Sequence, residues 1–262
     1  MTEMTSYENG TPCWVDLGTS DVEAAAAFYR ALFGWEIEIG PAEMGHYSMA
    51  LVRGLPVAAL ADQQTPGQVY WTTYLAVDDV DATAAKVSAA GGTVIVDAMD
   101  VMTFGRMAVI SDPGGAPVSF WQAGDHRGAG LVNEPGTLCW NELTTRAVDD
   151  SLRFYEAAVG LVATKMDVGA GEDYYELRLP GGRAVAGLMP MIGEMWPAEI
   201  PNHWMVYFAV DDTDATAARC VELGGSVPVP PNDIPPGRFA VLNDPQGGHF
   251  SVITLAQAAG RA

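Results

Sequence analysis

The chain has 262 residues, nearly half of them apolar, and a net charge of −20 with only two lysines. Such an acidic surface repels nucleic-acid phosphates, and no apolar run reaches the roughly 18 residues that a membrane-spanning helix needs. The first ten residues lack an apolar signal core, so we expect a cytoplasmic protein that binds neither nucleic acid nor membrane, with unconventional export left open.

The first predicted elements are a strand around Cys13–Leu17 and a helix that begins near Ser20. Ser20 forms a capping box with Glu23, three residues later, which is typical of a helix start. Short alternating segments, typical of strands, follow at Tyr47–Val52 and Pro56–Ala61. This order predicts a unit of one strand, one helix and about three further strands.

The unit occurs four times along the chain. Ser20–Ala27 resembles Asp78–Ala85, 58 residues later, and Asp211–Ala218 nearly repeats the latter. Arg146–Arg153 is the fourth copy. Each copy begins a predicted helix, and in two of them Asp78 and Asp211 are the expected N-caps.

The whole of 12–122 also recurs at 137–254, because Cys13-Trp14 returns as Cys139-Trp140 at a spacing of 126. A duplication of this length predicts two domains, 1–122 and 137–262, joined by a glycine-rich linker at 123–136. We therefore expect an α+β fold of four βαβββ modules that form two domains with curved sheets. The assembly would be a monomer with two pseudo-symmetric domains, or a weak homodimer.

Strand alternation assigns side chains to the two faces of each sheet. Cys13, Val15 and Leu17 should face the helix, whereas Trp14 and Asp16 face the other way. Continued along the other strands, the pattern predicts a concave face in each domain that suits a small-molecule ligand. The predicted members are Trp14, Asp16, Tyr70, Thr72, Tyr74, Ser119 and Trp121 in the first domain, and Trp140, Glu142, His203, Met205, Tyr207, His249, Ser251 and Ile253 in the second.

Two alternatives remain open at this point. The same residues would equally fill a closed barrel or an inter-domain contact. The pattern also does not say whether a concave face forms within one domain or from modules of different domains. The three cysteines, Cys13, Cys139 and Cys220, are expected to be reduced packing residues, and His46 and His126 are given no role.

Three residues are candidates for acid–base catalysis. Asp16 and Glu142 are twins that could act as general bases or bind a ligand amine, with ion pairs to Arg106 and Arg238 as the alternative. His203 is the third candidate. With His249 and Glu142 it could form a metal triad or an acid–base site, although ordinary hydrogen-bonded histidines also fit the pattern.

The chain resembles the vicinal oxygen chelate superfamily, which includes glyoxalases, bleomycin-resistance proteins and dioxygenases. The residues behind this resemblance are Phe28-Tyr29 with Leu32–Trp35, Val77–Asp79, and the turns Asp112–Gly115 and Asp244–Gly247. Gly10–Leu17 and Pro201–Asp212 are similar to a two-domain sub-group of glyoxalase-like and hydroxylase-labelled proteins. That sub-group includes a culture-filtrate antigen and accessory proteins of antibiotic gene clusters.

Metal-dependent members of the superfamily carry His, Gln or Glu ligands at four strand positions. In this chain the matching positions hold indole, alkyl and hydroxyl groups, which are poor ligands for divalent metals. The resemblance therefore implies the fold without its metal, and we expect no cofactor. The positions are Trp14, about Ala59, Thr72 and Ser119 in the first domain, and Trp140, about Gly187, Met205 and Ser251 in the second.

The sequence favours a metal-free protein that binds a small aromatic molecule, neutral or cationic, such as an antibiotic or another secondary metabolite. The alternative is a cofactor-free lyase or isomerase, or another glyoxalase-like or hydroxylase-labelled enzyme, acting on a secondary metabolite or a reactive aldehyde. A structural role with closed concave faces is the third possibility.

Overall fold

The computed structural model describes residues 2–167, 173–194 and 196–256. The first part contains β1 (Thr2–Glu3), β2 (Pro12–Thr19), α1 (Val22–Phe33), β3 (Glu36–Ile37), a 3₁₀ turn (Ala42–Met44), β4 (Ser48–Val52), β5 (Leu55–Asp62), β6 (Tyr70–Ala76), α2 (Val80–Val87), β7 (Thr93–Val101), β8 (Gly105–Ser111), β9 (Pro117–Ala123) and β10 (Leu131–Val132). The second part contains β11 (Leu138–Thr145), α3 (Val148–Val159), β12 (Val162–Asp167), β13 (Asp173–Arg178), β14 (Ala184–Pro190), β15 (His203–Ala209), α4 (Thr213–Glu222), β16 (Ser226–Ile234), β17 (Gly237–Asn243) and β18 (His249–Leu255).

Each domain builds one mixed sheet of eight strands. The order is β3-β4-β5-β2-β6-β9-β8-β7 in the first domain and β12-β13-β14-β11-β15-β18-β17-β16 in the second. The two modules of a domain meet where β2 pairs antiparallel with β6, and where β11 pairs antiparallel with β15. The α+β fold of four βαβββ modules is thus confirmed, and each concave face forms within one domain.

Three of the four helices begin one residue later than the sequence pattern predicts. The side chains of Asp21, Asp79 and Asp212 each accept a 2.9 Å hydrogen bond from the backbone N–H three residues later. The expected caps, Ser20, Asp78 and Asp211, lie one residue before them. The predicted caps are wrong by one residue because two polar residues are adjacent at the start of each of these helices, and either is an acceptable cap. None of the helices in the described part of the chain is long and apolar enough to cross a membrane.

The helices lie between the two sheets, and both hydrophobic cores are shared by the two domains. In one core Tyr29 of α1 packs against Phe250 of β18 at a centroid distance of 5.6 Å. In the other, Phe154 and Tyr155 of α3 are buried beside Phe120 of β9. The first module therefore packs on the fourth, and the second on the third. The opposite face of each sheet is therefore turned away from these cores.

Cys13 is a correction to the predicted strand faces. It lies in the cluster on the concave side, with Trp14 and Ala59, rather than under the helix. The register of β2 against β6 shifts between Pro12 and Trp14, and such a bulge breaks the alternation of side chains. Cys13 and Cys220 are buried, Cys139 is partly buried, and all three thiols are free.

Candidate functional site

The concave face of the first sheet, here called the first cup, holds a buried carboxylate fixed by tyrosines. The Tyr74 hydroxyl donates a 2.8 Å hydrogen bond to Asp16 Oδ2, and the Tyr47 hydroxyl donates to the same oxygen at 3.3 Å. Tyr47 in turn accepts a 3.0 Å hydrogen bond from Trp14 Nε1. Four side chains from β2, β6 and the segment before β4 thus form one network.

The concave face of the second sheet, the second cup, repeats this network. The Tyr207 hydroxyl donates to Glu142 Oε1 at 3.0 Å, and Tyr174 also hydrogen-bonds Glu142. The Tyr174 hydroxyl accepts a 3.0 Å hydrogen bond from Trp140 Nε1. Both copies of the duplicated chain therefore keep a tryptophan, a carboxylate and two tyrosines in the same arrangement. Tyr47 and Tyr174 were missing from the residues proposed from the sequence.

Burial changes the acidity of both carboxylates. It raises the pKa of Asp16 to about 6, against the opposing effect of its hydrogen bonds from Tyr74, Thr72 and Tyr47. It likewise raises the pKa of Glu142 to about 6. A carboxyl group with such a pKa exchanges its proton near neutral pH, which is what general acid–base chemistry requires.

The predicted alternative, an ion pair with a neighbouring arginine, is wrong for both carboxylates. Arg106 pairs with Asp81 and Asp100, both at 2.8 Å. Its twin Arg238 pairs with Asp214 and Asp233. These pairs lie outside the cups. Alternation along β8 and β17 turns the two arginines towards α2 and α4, the helices that carry Asp81 and Asp214.

The first cup is covered by the chain's own linker. His126 lies edge-on to Trp14, with ring centroids 4.4 Å apart, and also contacts Trp121 at 5.7 Å. Its carbonyl oxygen accepts a 3.0 Å hydrogen bond from Trp121 Nε1. Trp14 is only 2% exposed and Trp121 only 7%. A cavity of about 330 Å³ remains at the edge of this cover, where Tyr7 and Arg127 line it.

The second cup keeps part of its apolar surface exposed. Trp140, Ile234 and Phe239 are partly exposed, and they border the buried side chains of Met205 and Tyr207. The linker that covers the first cup lies before β11. In the described part of the chain, no similar segment covers these aromatic side chains of the second cup. Among the described residues, the two cups therefore share a polar network but differ in how much of their aromatic surface is exposed.

The other residues proposed from the sequence take different positions. Tyr70 is 40% exposed, and Thr72 is partly exposed beside Asp16. Ser119 and its twin Ser251 are buried, and they lie beside the hydroxyls of Tyr74 and Tyr207 respectively. Each cup thus contains one buried serine next to its network of carboxylate and tyrosines.

His203 and His249 come together, but Glu142 does not join them. The two imidazole rings lie 6.4 Å apart at the rim of the second cup. Glu142 hydrogen-bonds tyrosines instead. Within residues 2–167, 173–194 and 196–256, no three His, Cys, Asp or Glu side chains are arranged to hold a metal ion.

The four superfamily ligand positions do not suit a divalent metal in either cup. The indole nitrogens of Trp14 and Trp140 donate hydrogen bonds to tyrosines and have no lone pair for a cation. At Gly187 an added Cβ would lie 1.9 Å from the Tyr174 hydroxyl oxygen, so no ligating side chain fits there. The remaining positions hold Ala59, Thr72, Ser119, Met205 and Ser251.

Comparison with protein families agrees with this fold. The model of the glyoxalase/bleomycin resistance protein/dioxygenase superfamily matches residues 13–120, and that of a glyoxalase-like domain matches residues 140–253. CFP32 of Mycobacterium tuberculosis, provisionally named a glyoxylase, is 51% identical over 266 residues, which cover 98% of this chain and 99% of that protein. The anthracycline biosynthesis protein DnrV of Streptomyces peucetius is 40% identical over 273 residues, covering 97% of this chain and 96% of DnrV.

Solved structures share the fold at much lower identity. The Mn(II)-bound glyoxalase from Novosphingobium aromaticivorans gives a TM-score of 0.65 at 19% identity, over 94% of this chain and 83% of that one. A catechol 2,3-dioxygenase gives 0.62 at 15% identity, over 98% and 91% of the two chains.

Proposed function

Because this chain belongs to the glyoxalase/bleomycin resistance protein/dioxygenase superfamily, we propose that it binds a planar aromatic molecule in its second cup, without a divalent metal ion. The observation that carries this proposal is the partly exposed aromatic surface formed by Trp140 and Phe239 above the buried Glu142. A flat ligand would gain both apolar burial and ring stacking on such a surface.

The donor set supports the metal-free part of the proposal. A tryptophan, a glycine, a methionine and a serine stand at the superfamily ligand positions of the second domain. Neither an indole nor a glycine coordinates a divalent cation, and a lone hydroxyl or thioether is a weak ligand for one. Binding would therefore rely on stacking and hydrogen bonds.

The relatives and the charge of the chain suggest the kind of ligand. Two relatives, DnrV and DauV, are named for anthracycline biosynthesis, and both match about 97% of this chain. This supports a polycyclic aromatic ligand and an accessory or sequestering role for the protein. The net charge of −20 favours cationic over anionic forms of such a ligand through long-range attraction.

Twin substitutions test the proposal within one chain. Calorimetric titration with a planar polycyclic probe would be compared for wild type, Trp140→Phe and Trp14→Phe. Each change removes one indole and its hydrogen bond to a tyrosine. We expect Trp140→Phe to weaken binding up to about tenfold, since an aromatic contact contributes about 0.5–1.5 kcal/mol. Trp14→Phe, in the covered cup, should bind as wild type does. Equal effects of both changes, or no binding of any probe by wild type, would refute the proposal.

The acidity of Glu142 favours a second candidate, proton transfer on the bound ligand. A carboxylate with a pKa of about 6 can remove a proton from an acidic carbon or hydroxyl and return it elsewhere, as a lyase or isomerase does. Glu142→Gln keeps the side-chain shape but cannot carry a transferable proton. Turnover of a candidate substrate by wild type, lost in Glu142→Gln while binding persists, would favour this enzyme over a binding protein.

A further inference from the structure

The contact between the two domains contains two buried cross-strand pairs at twin positions. In the first sheet, Val15 of β2 pairs with Thr73 of β6. In the second sheet, Asn141 of β11 pairs with Val206 of β15. Asn141 is the twin of Val15 at a spacing of 126, and Val206 follows its twin, Thr73, by 133 residues. Asn141 is 1% exposed and the other three side chains are 0% exposed. Each domain therefore brings one polar and one apolar side chain to the same place.

Across the domain contact, the polar side chains hydrogen-bond each other and the apolar side chains join one core. Asn141 Nδ2 donates a 2.8 Å hydrogen bond to Thr73 Oγ1. Val15 and Val206 both belong to the core that α1 shares with the second domain. The polar pair and the apolar pair are thus the two halves of one duplicated contact, and they differ in chemistry.

The two domains pair as two copies of one protein would. The hydrogen bond between Tyr29 and Asp244 has a twin between Tyr155 and Asp112, with the domains exchanged. Contacts that repeat in this way are those of a twofold-symmetric pair, which uses the same surface on both sides. Because the two faces are so similar, pairing of each domain with the same domain of a second chain is the competing arrangement.

Pairing of like domains would separate the polar partners. In the same geometry, Asn141 of one second domain would face Val206 of the other, and this would happen twice in each pair. Two buried amides would then lack a hydrogen-bond partner, and each reduces the equilibrium constant for pairing about tenfold to hundredfold. A pair of first domains would likewise bury each Thr73 hydroxyl against Val15.

We propose that this face of each domain is an interaction surface that accepts the other domain of the chain and rejects a second copy of itself. The hydrogen bond between Asn141 and Thr73 provides the selection, because it forms only when unlike domains meet. Stability alone does not require it, since apolar side chains of similar shape in place of both partners leave the free energy of folding nearly unchanged. The inference concerns assembly and involves no ligand of the cups, so it goes beyond the proposed function and is tested separately from it.

The test moves the hydroxyl from one domain to the other. A swap variant with Thr73→Val and Val206→Thr keeps the composition of wild type. In it Asn141 loses its acceptor when unlike domains pair, and regains one when two second domains pair. Each full chain is refolded from urea in reducing buffer, at a low and a high protein concentration, and its mass distribution is measured by size-exclusion chromatography with light scattering.

The linker favours pairing within one chain, so association is expected only at the high concentration. There the swap variant should contain a fraction of dimers and larger assemblies at least about tenfold greater than wild type. An equal fraction in the two proteins would overturn the inference.

Two further variants separate selection from stability. Val206→Ala removes packing at the same contact but keeps the hydrogen bond, so it should unfold at a lower urea concentration than wild type without a comparable rise in assemblies. If it associates as much as the swap variant, association follows from lost stability and the inference is overturned. Asn141→Val with Thr73→Val makes every pairing apolar. It should unfold near the wild-type urea concentration and give a fraction of assemblies between those of wild type and the swap variant. A fraction equal to that of wild type would show that the polar pair selects nothing.

Discussion

The hydroxyl of Tyr29 in the first domain donates a 3.0 Å hydrogen bond to Oδ2 of Asp244 in the second, 215 residues later in the chain. The other oxygen of Asp244 accepts a 2.7 Å hydrogen bond from the backbone of Gly248 in its own turn. The twin arrangement joins Tyr155 and Ser151 of the second domain to Asp112 of the first. Each Asp-Pro turn thus stabilises its own hairpin and the contact between domains.

Removing this hydroxyl should weaken the protein measurably. In Tyr29→Phe, Asp244 loses a buried donor, and Trp71 Nε1 loses the acceptor that it bonds at 3.2 Å. We expect the free energy of unfolding, measured by urea denaturation, to fall by about 1–3 kcal/mol, because buried polar groups are left unpaired. Tyr70→Phe is the control, since the Tyr70 side chain is 40% exposed. Equal stability of Tyr29→Phe and wild type would show that the inter-domain hydrogen bond contributes nothing.

The buried carboxylates of the cups predict how stability depends on pH. Folding raises the pKa of Asp16 from 3.8 to about 6, and that of Glu142 from 4.5 to about 6. At pH values between about 4 and 6, the folded state therefore binds more protons than the unfolded state. The contribution of each carboxyl group to stability falls as pH rises through this range and is constant above it.

The variant Glu142→Gln removes one of these titrations. The free energy of unfolding of Glu142→Gln, compared with that of wild type, should therefore rise by on the order of 2 kcal/mol between pH 4 and pH 7.5. Denaturation curves at several pH values measure this change. Arg106→Ala should keep the wild-type profile, because Arg106 pairs with Asp81 and Asp100 rather than with Asp16. A difference between Glu142→Gln and wild type that does not vary with pH would contradict a raised pKa.

Local patterns predicted the parts of each cup that lie along single strands. Alternation placed Trp14, Asp16 and Tyr74 on one face, and the duplication placed their twins likewise. Tyr47 was missed because its contact with Asp16 depends on how β4, β5 and β2 pair, which no local pattern encodes. The duplication did contain one signal for this residue, because Tyr47 of the first repeat returns as Tyr174 of the second. The two tyrosines are 127 residues apart, whereas Cys13 and Cys139 are 126 apart.

The cover of the first cup could not be predicted for a similar reason. The glycine-rich linker was identified as a connection, and its composition says nothing about the surface that it crosses. Ala129 N donates a 2.8 Å hydrogen bond to the carbonyl of Cys13, and Gly130 N donates to Pro56 at 2.7 Å. These backbone bonds hold the linker against β2 and β5, with His126 over Trp14.

Gly187 should be indispensable to the network in the second cup. An added Cβ would lie 1.9 Å from the Tyr174 hydroxyl oxygen and 2.9 Å from Trp140 Nε1, the two atoms that hydrogen-bond each other. We expect Gly187→Ala to lower the free energy of unfolding by about 1–3 kcal/mol and to weaken ligand binding, because the tyrosine must move. Gly181→Ala is the matched control, since nothing lies within 4 Å of its Cβ position. Wild-type stability and binding in Gly187→Ala would show that Tyr174 moves without cost.

Replacing His126 should expose the first cup. The ring covers Trp14 at 4.4 Å and Trp121 at 5.7 Å, and both indoles are nearly inaccessible to solvent. Oxidative labelling read by peptide mass spectrometry should therefore mark Trp140 but leave Trp14 protected in wild type. In His126→Ala, labelling of Trp14 should rise several-fold, with a loss of about 1 kcal/mol of stability from the missing ring contacts.

His46→Ala is the control for this experiment, because His46 contacts Asp62 at 2.9 Å in a partly exposed pair away from the linker. It should leave the labelling of Trp14 unchanged. If Trp14 stays protected in His126→Ala, the backbone of the linker alone closes the cup, and the histidine side chain does not control access. If labelling rises, planar ligands should also bind a second site in this variant, since the first cup carries the same network of Trp14, Tyr47, Asp16 and Tyr74 as its twin.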